Sequence, residues 1–170
     1  GAGCGKYLAQ WMIYGDSEIN MTGFDPRRFG DFADRAYMHA KGFQDYGLTY
    51  ATPLPGEEFP AARDCRLTPL HDTLKAKGAV HTQTFGWERP NWYAPSGVEP
   101  RYEYSYGRQN WFEHSAAEHR AVREGVALFD QSSFAKFRLE GRDAVTVLNR
   151  ICANNVDVAA GRVVYTQWLN

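Results

Sequence analysis

The residues whose types and spacing best suit cofactor binding are the glycines of the opening stretch GAGCGKYLAQWMIYG. Gly1, Gly3 and Gly5 are predicted to form a tight turn whose backbone N–H groups can approach an anion closely. The turn leads into a predicted helix that begins at Lys6, whose positive dipole end would point at the same place. The spacing excludes a P-loop, and a dinucleotide fingerprint would need a glycine in place of Lys6. The stretch therefore predicts either an anion-binding turn or a tight turn without a ligand.

The stretch HSAAEH is the second candidate for chemistry, because it is similar to an inverted zinc-protease motif. Its spacing does not suit a metal, since a regular helix turns His119 about 140° away from His114. A solvated helix that begins with a capping box of Ser115 and Glu118 is the favoured interpretation. The chain also lacks a nucleophile elbow and a cysteine beside a cluster of cations. Neither metal ligands nor catalytic residues are therefore predicted.

Composition and charge indicate a globular protein whose partner is a small molecule or another protein. Of the 170 residues 44% are hydrophobic, and the formal net charge of −1 gives no footprint for nucleic acid or an anionic membrane. Cys4, Cys65 and Cys152 lie far apart and form no Cys-x-x-Cys pair, which favours a reducing, cytoplasmic compartment over a disulfide framework. No apolar run reaches membrane-spanning length, and the first residues do not have the form of a signal peptide.

The stretch GWERPNWY places two charged residues among large aromatic ones. It is predicted to belong to a long aromatic loop that follows a strand. Glu88 and Arg89 need partners if they are buried there, and they could pair with each other or with another domain. A contact between domains is favoured over a substrate site, and both remain open at this point.

Hydrophobic spacing and turn residues predict an α+β fold. The predicted helices, in chain order, are 6–14 before Gly15, Asp25 to Gly42, a Thr68-capped helix before Gly78, a Ser115-capped helix before Gly125, and one after Asp143. The predicted strands are AVHTQTF at 79–85, AKFRLEG at 135–141 and RVVYTQWLN at 162–170. Residues 52–64 hold three prolines and a glycine, so an irregular connection is expected there. Both ends of the chain look cut, which predicts a fragment of a larger protein.

In this order the motifs resemble an internal segment of the flavin-dependent dimethylglycine and sarcosine dehydrogenase family. That family joins an amine-oxidising flavin domain to a folate-binding domain similar to the glycine-cleavage aminomethyltransferase. The opening stretch is similar to the end of the FAD-binding domain, assigned to 1–20. DPRRFGDF through GWERPNWYAP is similar to the central domain with its aromatic connecting loop, assigned to 21–108. NWFEHSAAEHRAVREGVALFDQSSFAKFRLEG is similar to the start of the folate-binding domain, assigned to 109–170.

The resemblance implies two cofactors, FAD and tetrahydrofolate. It implies that Gly1, Gly3 and Gly5 lie beside the flavin ring, with Lys6 as a neighbour. Phe134 and Tyr165 fall on positions that contact folate in similar proteins, and either ring could stack on a flat heterocycle or belong to an ordinary core. The implied reaction removes hydride from an N-methyl group, and tetrahydrofolate then captures the one-carbon unit. The implied substrate is an N-methyl amine such as dimethylglycine or sarcosine.

The resemblance also implies that this segment alone is inactive, because the substrate-side base and the dinucleotide fingerprint of the family are not in it. Its implied partners are the rest of its own polypeptide and an electron-transfer protein. Two other interpretations stay open. The chain could be an aminomethyltransferase-like folate-binding module without redox activity, or a structural scaffold between domains.

Overall fold

The computed structural model describes residues 1–169, and the chain divides into two compact units, Gly1–Ser133 and a second that begins at Phe134. The helices are α1 (Ala2–Tyr14), α2 (Arg35–Leu48), α3 (His71–Ala76), α4 (Phe112–Glu124) and α5 (Ala144–Ile151), and the strands are β1 (Arg66–Leu67), β2 (Ala79–Thr84) and β3 (Trp87–Tyr93). The predicted α+β class is confirmed. In the part of the chain described here, no helix is both long and apolar enough to cross a membrane.

A three-stranded sheet in the order β1-β3-β2 forms the centre of the first unit. β2 and β3 make an antiparallel hairpin, and β1 pairs with β3 in parallel. The two-residue turn places Phe85 at φ 49° and Gly86 at φ 78°, the positive values that suit the twist of a hairpin. Val80, Trp92 and Ala94 form the buried core cluster, with Tyr102 and Trp111 packed against it.

The prediction that the chain is a loop from Gly86 onward is wrong for its first part, because Trp87–Tyr93 is strand β3. Aromatic residues favour strands, and β2 offers this segment a partner along its whole length. Pro90 has no N–H to donate to a ladder. It lies opposite His81, next to a register irregularity between Val80 and His81, where the regular ladder is interrupted.

The predicted turn at the opening glycines is also wrong, because α1 begins at Ala2 and contains Gly3 and Gly5. The Gly5 N–H donates to the Gly1 carbonyl at 3.2 Å, which is the helical pattern. Glycine lowers helix propensity but does not forbid a helix, and apolar residues at helical spacing follow. The predicted end is confirmed, since Gly15 adopts the left-handed conformation with φ 77°.

The single helix predicted from Asp25 to Gly42 is wrong, because two separate elements share this stretch. Asp25 accepts a hydrogen bond from the Arg27 N–H and starts only a 3₁₀ turn, Pro26–Phe29. Gly30 ends that turn with φ 72°. Asp34 then caps α2 through the Tyr37 N–H, and α2 continues past Gly42. Apolar residues recur at helical spacing in both the 3₁₀ turn and α2, so this spacing did not indicate that the helix is interrupted after Phe29.

Two predicted caps are wrong because their side chains have tertiary partners instead. The Thr68 hydroxyl donates to an Asp130 carboxylate oxygen at 2.6 Å, and α3 begins later, at His71. Ser115 lies inside α4, and its expected capping partner Glu118 accepts the Tyr93 N–H at 2.8 Å. The ends at Gly78 and Gly125 fall where they were predicted.

The second unit contains α5, which was predicted, but not the two predicted strands. Asp143 precedes α5 but makes no capping hydrogen bond, because its carboxylate pairs with Arg142. Residues 135–141 form no strand, and within 162–169 only an isolated bridge joins Trp168 to Cys152. A strand needs a neighbour for its backbone groups, and no strand among the described residues pairs with these segments. Asn170, the last residue of the predicted 162–170 strand, lies outside the described part.

We expect Gly78→Ala to lower the free energy of unfolding by more than about 2 kcal/mol, because φ is 88° there and a Cβ would lie 2.3 Å from the Ala94 carbonyl oxygen. The matched control is Gly97→Ala, since Gly97 has φ 85° but nothing within 4 Å of its Cβ position. The control should cost about 1 kcal/mol from backbone strain alone. Urea unfolding of both variants measures the difference, and equal losses would show that the close approach is unimportant.

Candidate functional site

The predicted flavin-side glycines lie on an open surface of α1. A Cβ added to Gly1, Gly3 or Gly5 would meet nothing within 4 Å, so a flat ring could approach this backbone closely. The donor set is smaller than predicted, because the Gly5 N–H is already bound to the Gly1 carbonyl. The dipole of α1 still favours negative charge near its start. This surface fits an anionic ring edge, and the assignment to flavin stays a prediction.

Lys6 takes part in an exposed ion pair with Glu18. The hydrogen bond that Lys6 donates to the Glu18 carboxylate is the main cause that raises the pKa of Lys6, and the same contact lowers the pKa of Glu18. The Glu18 N–H is within 3.3 Å of the Gln10 side-chain oxygen, so α1 and the chain after it are joined here. Because the pair is exposed, it is screened by salt and could exchange partners. Lys6 stays a predicted neighbour of the flavin.

The predicted folate-side rings, Phe134 and Tyr165, both lie in the second unit. Phe134 is 47% exposed and Tyr165 is 84% exposed, so both rings are accessible in this chain. The backbone at Tyr165 is held by Asn154, whose side chain donates to the Tyr165 carbonyl at 2.6 Å and whose N–H donates to the Thr166 hydroxyl at 3.0 Å. Exposed rings on a fixed backbone fit stacking on a flat heterocycle. Their role in folate binding stays a prediction.

The histidines of HSAAEH contact different parts of the first unit. His114 stacks on Trp92 with ring centroids 5.5 Å apart and planes 11° apart. His119 instead places its Nδ1 atom 2.8 Å from the Ser115 carbonyl oxygen. Within residues 1–169, no group of three or more His, Cys, Asp or Glu side chains is arranged to hold a metal ion.

The most completely satisfied buried charge is Glu88 on β3, which is 1% exposed. Arg63 donates to both of its carboxylate oxygens, from Nε at 2.8 Å and from Nη2 at 2.5 Å. The Asp64 N–H donates to the same carboxylate at 3.0 Å. Arg63 also donates to the His81 carbonyl oxygen at 3.1 Å. Of the partners considered from sequence for Glu88, a distant segment is therefore found rather than the adjacent Arg89.

Residues 57–64, which we call the connecting segment, make further polar contacts with β2. The Glu58 carboxylate accepts the Gln83 N–H at 3.0 Å and the Thr82 hydroxyl. The Gln83 side-chain amide donates in return to the Ala62 carbonyl at 2.7 Å. These contacts join two parts of the sequence that are about 20 residues apart. They give polar groups of β2 and of the connecting segment hydrogen-bond partners outside the sheet.

Arg63 and Glu88 each stabilise the charged form of the other, as the directions of their pKa shifts indicate. Burial alone would raise the pKa of Glu88, but hydrogen bonds from Arg63 and the Asp64 N–H outweigh burial, so its pKa is lowered. The hydrogen bond to Glu88 is likewise the main cause that raises the pKa of Arg63. Both side chains therefore stay charged at neutral pH. A pair this buried is stable only while both partners are present.

Two imidazole rings lie beside the ion pair. His71 on α3 and His81 on β2 have ring centroids 4.3 Å apart. His71 Nδ1 and His81 Nε2 are buried and have no hydrogen-bond partner among the described residues. Burial is the main cause that lowers the pKa of His81, and the nearby His71, Lys75 and Arg63 lower it further, while Glu88 opposes them. The His81 ring therefore stays neutral at pH 7.

Sequence reasoning missed Arg63, Glu58 and the histidine pair. Arg63 stands in the irregular stretch TPLPGEEFPAARD, where nothing in the local pattern distinguishes one charge from another. The one indication of this contact in the sequence was its other partner, Glu88. Glu88 among tryptophans required a buried cation, but the sequence did not say which one.

Two family descriptions match consecutive parts of the chain. Residues 14–68 match the family described as FAD dependent oxidoreductase central domain. Residues 70–170 match the family described as GCVT N-terminal domain. The two matched ranges meet between residues 68 and 70, at the end of β1. The division after residues 20 and 108 stays a prediction about where separate domains begin.

Several characterised proteins are similar over nearly the whole chain. The 4-methylaminobutanoate oxidase (formaldehyde-forming) of Paenarthrobacter nicotinovorans is 43% identical over 99% of this chain and 20% of its own length. The mitochondrial dimethylglycine dehydrogenase of Mus musculus is 35% identical over 89% of this chain and 18% of its own length. The mitochondrial sarcosine dehydrogenase of Homo sapiens is 33% identical over 100% of this chain and 21% of its own length. The chain thus spans about a fifth of these relatives.

We expect Arg63→Met to lower the free energy of unfolding by about 3–5 kcal/mol, because it leaves the Glu88 carboxylate buried without a countercharge. Arg101→Met is the matched control, since Arg101 pairs with Glu103 on the surface with 58% of its side chain exposed. The control should cost less than about 1 kcal/mol. Urea unfolding compares the two, and equal values would refute the importance of the buried pair.

We expect the stability of the protein to fall as the pH drops below about 6.5, the pKa of an unperturbed histidine. The pKa of His81 is lowered in the fold, so the unfolded chain takes up a proton first and is favoured. This loss continues down to the folded pKa and then levels off. His81→Gln keeps the backbone carbonyl that Arg63 binds and should weaken the pH dependence. The exposed His39→Gln variant is the control, and thermal unfolding between about pH 8 and 5 measures both.

Proposed function

The chain belongs to the family of FAD-dependent oxidoreductases that includes the dimethylglycine and sarcosine dehydrogenases, and we propose that the full-length protein oxidises an N-methyl amino acid and passes the one-carbon unit to tetrahydrofolate. The single observation that carries this proposal is the order of the two matched families. A central domain of the FAD-dependent type is followed directly by a domain of the GCVT type.

The proposed reaction divides into an oxidation and a transfer. The oxidation removes a hydride, that is two electrons and a proton, from the N-methyl carbon, and FAD would supply this chemistry when bound. The carbon is left as an iminium on the amine, and tetrahydrofolate would supply the two nitrogens that accept it. The transfer would leave a methylene bridge on the folate and release the demethylated amine and one proton. If water attacks instead, the products are formaldehyde, the same amine and one proton.

In this proposal the chain's own residues bind and orient the two heterocycles. The start of α1, with Gly1 and Gly3, would lie against the edge of the flavin and stabilise negative charge there. Lys6 would add a positive charge nearby if it exchanges Glu18 for the cofactor. Phe134 and Tyr165 would stack on the pterin ring of folate. None of these side chains transfers a proton in the reaction, so catalytic groups are assigned to other parts of the protein.

The proposed substrate is an N-methylated amino acid. Dimethylglycine and sarcosine were expected from the sequence, and the names of two relatives contain them. The relative named 4-methylaminobutanoate oxidase adds a longer amino acid with the same N-methyl group. The shared chemistry is therefore an N-methyl amine that carries a carboxylate. The cytoplasmic location and the electron-transfer partner stay predictions.

We expect the full-length protein to bind FAD and to lose its oxidised-flavin absorbance under anaerobic conditions when dimethylglycine, sarcosine or 4-methylaminobutanoate is added. Hydride transfer from the N-methyl carbon is the reason, and stopped-flow absorbance is the measurement. The corresponding amino acid without an N-methyl group is the control and should leave the spectrum unchanged. A spectrum that none of the three amines bleaches would refute the proposal.

We expect Tyr165→Ala and Phe134→Ala each to weaken tetrahydrofolate binding by roughly 2- to 10-fold, the loss of one aromatic stacking contact. Phe137→Ala is the control, because Phe137 is 80% exposed in the same unit but lies outside the predicted folate contacts. Titration of the full-length protein with tetrahydrofolate, followed by tryptophan fluorescence, gives the dissociation constants. Unchanged values in both test variants would remove these residues from the folate site.

A further inference from the structure

The two imidazole rings beside the connecting segment are buried without the hydrogen bonds that such groups normally make. His71 on α3 is 5% exposed, and its ring centroid lies 4.3 Å from that of His81, which is half-buried on β2. His71 Nδ1 and His81 Nε2 have no hydrogen-bond partner among the described residues. Because a buried polar atom without a partner is costly and uncommon, this pair calls for a specific explanation.

His81 is joined to the connecting segment through Arg63. The Arg63 guanidinium donates to the His81 carbonyl oxygen at 3.1 Å and to both oxygens of the Glu88 carboxylate. The Tyr102 hydroxyl lies 3.5 Å from the same carbonyl oxygen. Besides the His71 ring, the charges that act on the His81 ring are Arg63, Glu88 and, from α3, Lys75. The ring therefore lies near two cations and one carboxylate that Arg63 already occupies.

A proton on the His81 ring is unfavourable while the segment is bound. Burial is the main cause that lowers the pKa of His81, and the His71 ring and the two cations lower it further. Release of the segment would take Arg63 away and open the ring to water. The charged ring could then replace Arg63 as the countercharge of Glu88, whose attraction already acts on it in the bound arrangement. Proton uptake by the ring and release of the segment therefore favour each other.

We infer that His81 is a proton-operated switch of the connecting segment: with a neutral ring the segment stays bound to the hairpin through Arg63, and protonation of the ring shifts the equilibrium to a released segment, with His81 and Glu88 as the new ion pair. The released state takes up its proton near the ordinary histidine pKa of about 6.5. The bound state is thus fully favoured above that pH and is progressively lost as the pH falls below it. One proton changes this equilibrium by up to roughly tenfold between about pH 7.5 and 5.5.

The test follows amide hydrogen exchange of the full-length protein between about pH 7.5 and 5.5. Exchange is read by mass spectrometry and expressed as protection factors, which removes the intrinsic pH dependence of exchange. Peptides that contain Asp64 or Gln83 report on the segment, because both N–H groups donate to carboxylates across the contact. A peptide that contains Ala94 reports on the hairpin itself, since the Ala94 N–H donates to the Gly78 carbonyl at 2.9 Å. We expect protection at Asp64 and Gln83 to fall by roughly tenfold and protection at Ala94 to change by less than about twofold.

Two variants separate His81 from the other titrating groups. His81→Gln and His81→Phe cannot take up the proton, and the second keeps an aromatic ring against His71. In both variants we expect protection at Asp64 to stay constant within about twofold over the same pH range. The matched control is His39→Gln, which removes an exposed histidine on α2 and should behave as the wild type does.

Each other result contradicts the switch. Wild-type protection that does not change with pH shows that His81 and the segment are not linked. An equal loss of protection at Ala94 shows a general loss of stability instead of a released segment. A pH dependence that persists in the His81 variants belongs to a different titrating group, such as a carboxylate of the contact. If neither variant folds, the wild-type comparison of Asp64 with Ala94 decides between release and general unfolding.

Discussion

The arrangement of the first compact unit depends on one buried ion pair, between Arg63 and Glu88. A carboxylate that is 1% exposed is tolerated on β3 because three donors saturate it, two from the guanidinium and one from the Asp64 backbone. An apolar pair of equal volume could stabilise the unit as much. Such an apolar pair would not, however, require the connecting segment in particular to lie on the hairpin. The pair therefore decides which part of the irregular chain lies on the hairpin.

The polar contacts and the apolar core have different effects on the arrangement of the first unit. Among the described residues of that unit, Val80, Trp92 and Ala94 form the core cluster, and Leu74 and Ala79 are also buried. Burial of apolar groups is non-directional, so it does not by itself select which segment lies on the hairpin. Hydrogen bonds from outside the ladder then fix the position of the connecting segment.

Local signals predicted the elements that depend on local chemistry. Gly15 ends α1 and 79–84 forms a strand, because a left-handed glycine and a run of β-favouring residues act within a few residues. The order of motifs also identified the family. Tertiary contacts were beyond these signals. Thr68 was assigned to a cap and instead binds Asp130, and Glu88 gave no indication that its partner was Arg63, because that partner is 25 residues away. The family resemblance gave candidate residues for flavin and folate. The contacts between the connecting segment and the β2–β3 hairpin became visible only in the structure.

The parallel pairing of β1 with β3 has a consequence for the order in which the unit folds. The hairpin closes through a two-residue turn and can form early, since its loop is short. β1 can add only after the chain has returned through α3 and the hairpin, because Arg66 aligns with Trp87. The upstream region thus docks onto an edge that the downstream region must first provide. During synthesis from the amino terminus, the earlier-made segment has to wait for the later-made one.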